Sequence, residues 1–384
     1  MKRFFYTRRA AALVPAAVFL AALCCGCGKL IPSAREINDF QLITAVGMDR
    51  HEDGGVTLTL SSKKGGTSAS GGAAADAGSA PFLLSHHAAT AALAFQDMES
   101  LTDKHIFLGH TRCFLIGESL ARDGLRSCLD YIMRDMDVRP DVRLYIVKSR
   151  SAGELLAEAS DNEEFAADRL KSMELDARRA SNTDIASALD IAAAMEGGGA
   201  ALIPALTLKA REGAASGDTD KRRLTFDPDG FAVIREHRLT DYIDAADAPF
   251  VNLLRGRFYN AVVEVEDARG AAAALHISRV KRSYSLEWEN GAPSRLNIGV
   301  TFHSEIGQSR PESGHEGWHK YAAARLIRDG VGRAFDAARE SGADYLGTAA
   351  ALDMRHPFRF APYRDGWDDI ISGLEVEIRV CSKE

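Results

Sequence analysis

The residues best suited to chemistry are His315-Glu316-Gly317-Trp318-His319, a match to H-E-x-x-H. In metallopeptidases, two histidines one helical turn apart hold zinc and the glutamate acts as base on the bound water. That chemistry needs a helix under the motif. Here Pro311 and Gly314 precede it and Gly317 lies inside it, and all three disfavour a helix. Trp318 alone is available for an apolar back face, and no third ligand follows at a recognisable spacing. The segment reads as a polar loop feeding a helix over 320–341, and His315, Glu316 and His319 as a coincidental match rather than a metal site. His86-His87 border a Gly/Ala/Ser stretch and read as solvated. Asp241, Asp244 and Asp247 read as one exposed helical face, and Asp227-Pro228-Asp229-Gly230 as a turn. There is no G-x-S-x-G elbow, no P-loop and no G-x-G-x-x-G after a strand. No cluster is assembled for covalent chemistry, so neither enzymatic activity nor a cofactor is expected.

One cysteine carries a different signal. The chain opens with Lys2, Arg3, Arg8 and Arg9, followed by an uncharged run from Ala10 to Cys25 that contains Pro15. This is the layout of a secretory signal. The run falls short of the roughly 20 residues that span a bilayer as a helix. Leu23-Cys24-Cys25-Gly26-Cys27 resembles a lipobox, in which a small residue precedes the lipidated cysteine. Only Cys27 has a glycine before it, although Cys24 stands where leucine is usual. Lipid on Cys27 would anchor the chain, since each buried CH₂ contributes about 0.8 kcal/mol; an ordinary cysteine-rich secretory signal is the alternative. Beyond it, Cys113, Cys128 and Cys381 are odd in number and form no disulfide framework. Cys113 lies in the apolar run Arg112-Cys113-Phe114-Leu115-Ile116 and reads as a core residue, with Cys128 its one conceivable partner.

The elements that would position these residues follow from length and pattern. The chain has 384 residues, 46% of them hydrophobic, enough for two or three domains. Loss of residues 1–26 removes four positive charges and takes the formal net charge from −7 to about −11, which argues against nucleic acid and against an anionic membrane surface as partners. Strands are predicted at Leu42–Met48, Val56–Leu60, Cys113–Ile116, Val142–Val147, Leu202–Leu208, Phe231–Ile234, Ala261–Val265, Leu296–Phe302 and Leu374–Val380, with helical stripes from Ala91 to Leu101, Leu125 to Ile132, over 152–196 and over 320–341. Gly342 sits where a C-cap glycine belongs. The fold class is α+β: a multi-domain chain, of three mixed α/β domains, with central sheets packed by helices. The predicted layout is a signal at 1–26, an N-terminal α/β domain at 27–209 with a flexible excursion at 61–80, a linker at 210–223, a middle domain at 224–270 and a C-terminal α+β domain at 271–384.

Several short motifs then occur in a fixed order. Arg35-Glu36-Ile37-Asn38-Asp39 precedes Ala45-Val46-Gly47-Met48-Asp49. Phe107-Leu108-Gly109-His110 leads into Cys113–Gly117, then Leu120-Ala121-Arg122-Asp123-Gly124, Arg134 and Val138-Arg139-Pro140. Gly342-Ala343-Asp344 follows the long helix, with Gly347, Pro357 and Trp367 before the last strand. This order resembles the Ger(x)C (GerAC-like) family, the lipoprotein C-subunits of spore germinant receptors. The resemblance covers about 27–384, departing in the length of 61–80, in the linker and in the cysteine-rich lipobox. It implies a three-domain α+β protein without known enzymatic activity. Such a protein sits on the outer face of the inner spore membrane beside an integral-membrane A-subunit and a transporter-like B-subunit, in a complex that responds to small nutrients. The alternative is a solute-binding lipoprotein that captures a ligand itself. Among the signature residues, Glu36, Asn38 and Asp39 brace the first strand or, with Arg35, face the membrane side. Arg112, Arg134 and Arg139 form ion pairs or partner contacts, and Gly109 and Gly342 meet backbone requirements. His110, Pro140, Ala343 and Asp344 are further interface candidates.

Overall fold

Continuous apolar runs became central strands, and alternating runs became strands with one wet face. The structure, a computed structural model, describes residues 39–62, 82–161, 166–196, 199–210, 224–266, 272–309 and 317–383. Met1–Phe40 and Gln41–Glu384 are separate units, and the architecture below is that of the second. In chain order the strands are β1 (Phe40–Leu42), β2 (Ala45–Arg50), β3 (Val56–Ser62), β4 (Phe82–Ala88), β5 (His105–Phe107), β6 (Cys113–Gly117), β7 (Arg143–Val147), β8 (Ala200–Ala210), β9 (Leu224–Arg235), β10 (Arg238–Ile243), β11 (Asn260–Glu266), β12 (Ala272–Glu289), β13 (Ala292–Ser309) and β14 (Glu375–Lys383). The helices are α1 (Ala91–Glu99), α2 (Glu118–Asp123), α3 (Arg126–Arg134), α4 (Ala152–Asp161), α5 (Ala166–Ala180), α6 (Ala188–Glu196), α7 (Ala248–Arg255), α8 (Trp318–Ser341), α9 (Thr348–Arg355), α10 (Pro357–Phe360) and α11 (Trp367–Gly373).

An eight-stranded sheet runs β10-β9-β8-β7-β6-β2-β3-β4. Its centre, β8-β7-β6-β2, is parallel, and its flanks are antiparallel. Parallel strands are covered on both faces, which is why β6 is buried at every position. Successive side chains point to opposite faces: Phe114 and Ile116 join the core under α1, α3 and α6, while Cys113 and Leu115 join the core under α4 and α5. A four-stranded sheet, β11-β12-β13-β14, is antiparallel except for the parallel β13–β14 pair. Across it lies α8, whose stripe of Ala323, Ile327, Val331, Ala334, Phe335 and Ala338 is buried against Ile298, Val300 and Phe302. Fully burying such a Val, Ile or Phe contributes roughly 1.5–3 kcal/mol. The helix ends at Gly342, left-handed at φ 61°, whose N–H donates to the Ala338 and Arg339 carbonyls.

Four expectations give way here. The linker at 210–223 separates β8 from β9, which pair antiparallel, so one sheet continues across the expected boundary. The segment 224–270 is divided between the two sheets, β9 and β10 to the larger and β11 to the smaller. Asp227–Gly230 is no turn but part of β9: Pro204 pairs Phe231 and Leu206 pairs Pro228, so Asp229 and Gly230 bulge opposite Ala205. The three aspartates share no helical face. Asp241 lies on β10, Asp244 follows it, and Asp247 is the N-cap of α7, paired with Arg333 at 2.9 Å.

Candidate functional site

Gly317 is left-handed at φ 80° and α8 starts at Trp318. The zinc arrangement requires an unbroken helical turn from His315 to His319, and Gly317 interrupts it. His319 sits in the first turn of α8; His315 and Glu316 lie outside the described residues. Burial, then the neighbouring Lys320, hold His319 below the usual histidine range.

Three signature residues do converge. Gly109, His110 and Arg139 line a cleft of about 350 Å³ with Arg112, Arg143 and Lys171. The strands explain the convergence: Arg112 and Arg143 stand at the starts of adjacent parallel strands β6 and β7, and Lys171 comes from α5 on that side of the sheet. A tight turn presents the first pair: the Thr111 N–H donates to the Leu108 carbonyl at 2.8 Å and the Arg112 N–H to the Thr44 carbonyl at 2.9 Å. Gly109 is there for space. A Cβ would lie 2.4 Å from the Phe107 ring, which also meets His110 edge-on at 6.2 Å.

The cleft's arginines are held by carboxylates: Arg112 by Asp168 at 2.8 Å, Arg143 by Glu174 at 3.4 Å, and Arg139 by both oxygens of Asp141. The exposed pairs of Arg112 and Arg139 contribute about 0–1 kcal/mol each, whereas the Arg143–Glu174 pair is half-buried. The cleft offers no activated nucleophile. Burial pushes the Cys113 thiol up to about 12. Burial and then Glu174, which accepts from the Tyr145 hydroxyl at 3.0 Å, raise the Tyr145 phenol well above its ordinary value.

The remaining signature residues are dispersed. Arg134, in the last turn of α3, pairs with Asp130 at 2.6 Å and borders a second cavity of about 570 Å³. The Pro140 carbonyl accepts from the Leu189 N–H at the start of α6. Gly342, Ala343 and Asp344 join α8 to α9: Ala343 is buried, and the Asp344 carboxylate accepts from the Thr348 and Ala349 N–H groups at 3.0 and 2.7 Å. Asp39 is exposed. Cys27, Arg35, Glu36 and Asn38 lie outside the described residues. Cys113, Cys128 and Cys381 are all free thiols, so the Cys113–Cys128 pairing is absent.

One residue with a structural role escaped individual notice. Asp49, buried at the end of β2, accepts from the Ala152 and Gly153 N–H groups at 2.7 and 2.8 Å, capping α4. Gly117 leaves it room, since a Cβ there would stand 2.1 Å from Asp49 Oδ1. Its signal was an acid closing an otherwise apolar strand.

The spore germination protein N-terminal domain family matches residues 33–208, and the spore germination B3/GerAC-like C-terminal family matches residues 229–383. The chain belongs to the GerAC-like spore germination family. Within the family, it is 28% identical over 123 residues to spore germination protein KC of Bacillus subtilis (strain 168). That match takes in 31% of this chain and 30% of the relative's length. The crystal structure of the GerBC protein shares the fold with a TM-score of 0.55 at 16% identity, over 88% of this chain and 96% of that one.

Proposed function

We propose that this chain is a non-catalytic, lipid-anchored subunit of a spore germinant receptor, needed for the germination response to small nutrients. The observation that carries the reading is the pair of family domains, in order, over 33–208 and 229–383. Lipid on Cys27 holds the body on the outer face of the inner spore membrane, beside an integral-membrane A-type subunit and a transporter-like B-type subunit. Two features support this. No helix among the described residues is long and apolar enough to cross a membrane. The body is acidic, so a lipid and protein partners, rather than lysine-rich contact with anionic headgroups, hold it in place. The cleft lined by Arg112, Arg139 and Arg143 gives a non-catalytic body a place to engage an acidic group of a partner.

Cys27→Ala tests the anchor. The variant chain is expected to leave the spore membrane fraction while keeping the wild-type melting temperature, and germination should slow as local concentration beside the partners is lost. A Cys27→Ala chain retained on membranes, in spores that germinate normally, would overturn the anchoring part of the reading.

A further inference from the structure

His51, Asp53 and His87 come from two stretches of sequence and meet at one end of the large sheet. His51 and Asp53 lie in the β2–β3 turn, while His87 sits on the edge strand β4, opposite Thr57 of β3. The turn is fixed by its backbone: the His51 N–H donates to the Gly55 carbonyl at 2.8 Å, and the Gly54 N–H to the His51 carbonyl at 3.0 Å. The His51 and His87 rings stack with centroids 4.1 Å apart and planes 7° from parallel. His51 Nδ1 lies 2.6 Å from Asp53 Oδ1. One ligand atom from each of the three residues falls within 4.8 Å of the others. Neighbouring His86 is engaged elsewhere, 3.4 Å from Asp97.

Two imidazoles and a carboxylate are the donor set of zinc and its transition-metal neighbours, whereas calcium and magnesium prefer oxygen alone. The Gly55 N–H donates to Asp53 Oδ1 at 3.3 Å, which holds the carboxylate beside the His51 ring. In its Nε2–H tautomer His51 presents the Nδ1 lone pair, and that nitrogen and the Asp53 carboxylate oxygen both coordinate the ion. We infer that His51, Asp53 and His87 bind a single zinc-class divalent ion, the two exposed rings turning out of their stack so that an in-plane nitrogen of each meets it, with the open coordination positions filled by water. The ion clips the β2–β3 turn to the edge strand. Gly54 and Gly55 of that turn also line the 570 Å³ cavity, so the clip fixes one wall of it.

The test is a titration of the full chain, purified in detergent without a histidine tag, with zinc chloride against a chromophoric chelator. The expected result is saturable binding of one equivalent and a zinc-dependent rise in melting temperature. His51→Ala and His87→Gln should each weaken binding by about tenfold or more while the metal-free chains melt where the metal-free wild type does. His315→Ala and His319→Ala should leave the affinity unchanged. Absence of saturable binding, affinity unmoved by both His51→Ala and His87→Gln, or affinity lost in His319→Ala would each overturn the assignment.

Discussion

Gly230→Ala should lower the stability of the chain by about 3–5 kcal/mol, combining a left-handed backbone penalty with backbone overpacking. Gly230 holds φ at 76° in the β9 bulge, and a Cβ there would stand 1.8 Å from the Ile243 carbonyl oxygen and 2.8 Å from the Asp244 carbonyl carbon. Neither contact is a side chain that can swing away. Relief requires β9 and β10 to part where Phe231 pairs with Ile243, and Phe231 is fully buried in the core it shares with α7 and α8. A domain is typically stable by only about 5–15 kcal/mol, so the loss is a large share of the total. Urea denaturation reads it directly: the midpoint should fall sharply with little change in slope. A midpoint equal to wild type would mean that β9 does not bulge here.

Asp184→Ala should cost about 3 kcal/mol, because it strips the partner from a largely buried cation. Asp184 lies in the connection between α5 and α6. It accepts from Arg255, on α7, at 2.9 Å and from Arg257 beyond it. Burial, only partly offset by Asp184, pushes the Arg255 guanidinium down to about 10, so removing the carboxylate leaves a desolvated charge without an anion. The same joint carries Asn252, fully buried, whose amide donates to the Ser181 and Thr183 carbonyls at 2.8 and 3.0 Å. The connection therefore ties the large-sheet side to α7 and the smaller sheet. Thermal melting checks the single variant. Pairing Asp184→Leu with Arg255→Met should recover most of the loss, since an apolar pair replaces a buried ion pair at little cost. If the double variant is no better than Asp184→Ala, the loss does not come from the stranded charge.

How much the sequence disclosed follows how local each signal is. The stripe from Ala323 to Ala338 and its closing Gly342 predicted α8 almost to the residue, because helix periodicity and a left-handed cap are both local. The apolar run at Cys113–Ile116 disclosed β6 for the same reason. β12 went unread although it spans 18 residues: its alternation of Leu275 and Ile277 dissolves into Arg, Lys and Ser positions that face water. The two-residue turn that pairs it with β13, Asn290-Gly291 with φ 51° and 84°, was nonetheless a hairpin signal. Asp241, Asp244 and Asp247 show the opposite error, where a helix-like spacing was overridden by strand pairing with β9. The cleft was half readable. The ordered motifs named Gly109, His110 and Arg139, but Lys171 and Glu174 sit on an ordinary helix, α5, and only tertiary packing brings them there. His87 is exposed, in keeping with its reading as a solvated residue; its stack on His51 comes only from the pairing of β3 with β4.

The chain combines an acidic body of three sheets, a cleft lined by arginines paired with carboxylates, and an N-terminal cysteine suited to lipid. Its proposed work is to be held beside membrane-embedded partners. The most direct measurement is affinity purification of the full chain from detergent-solubilised spore membranes, followed by identification of what comes with it. Two multi-span membrane proteins, one integral-membrane A-type and one transporter-like B-type, should be retained through washing. Recovery of the chain alone from membranes that contain both proteins would contradict the proposed role.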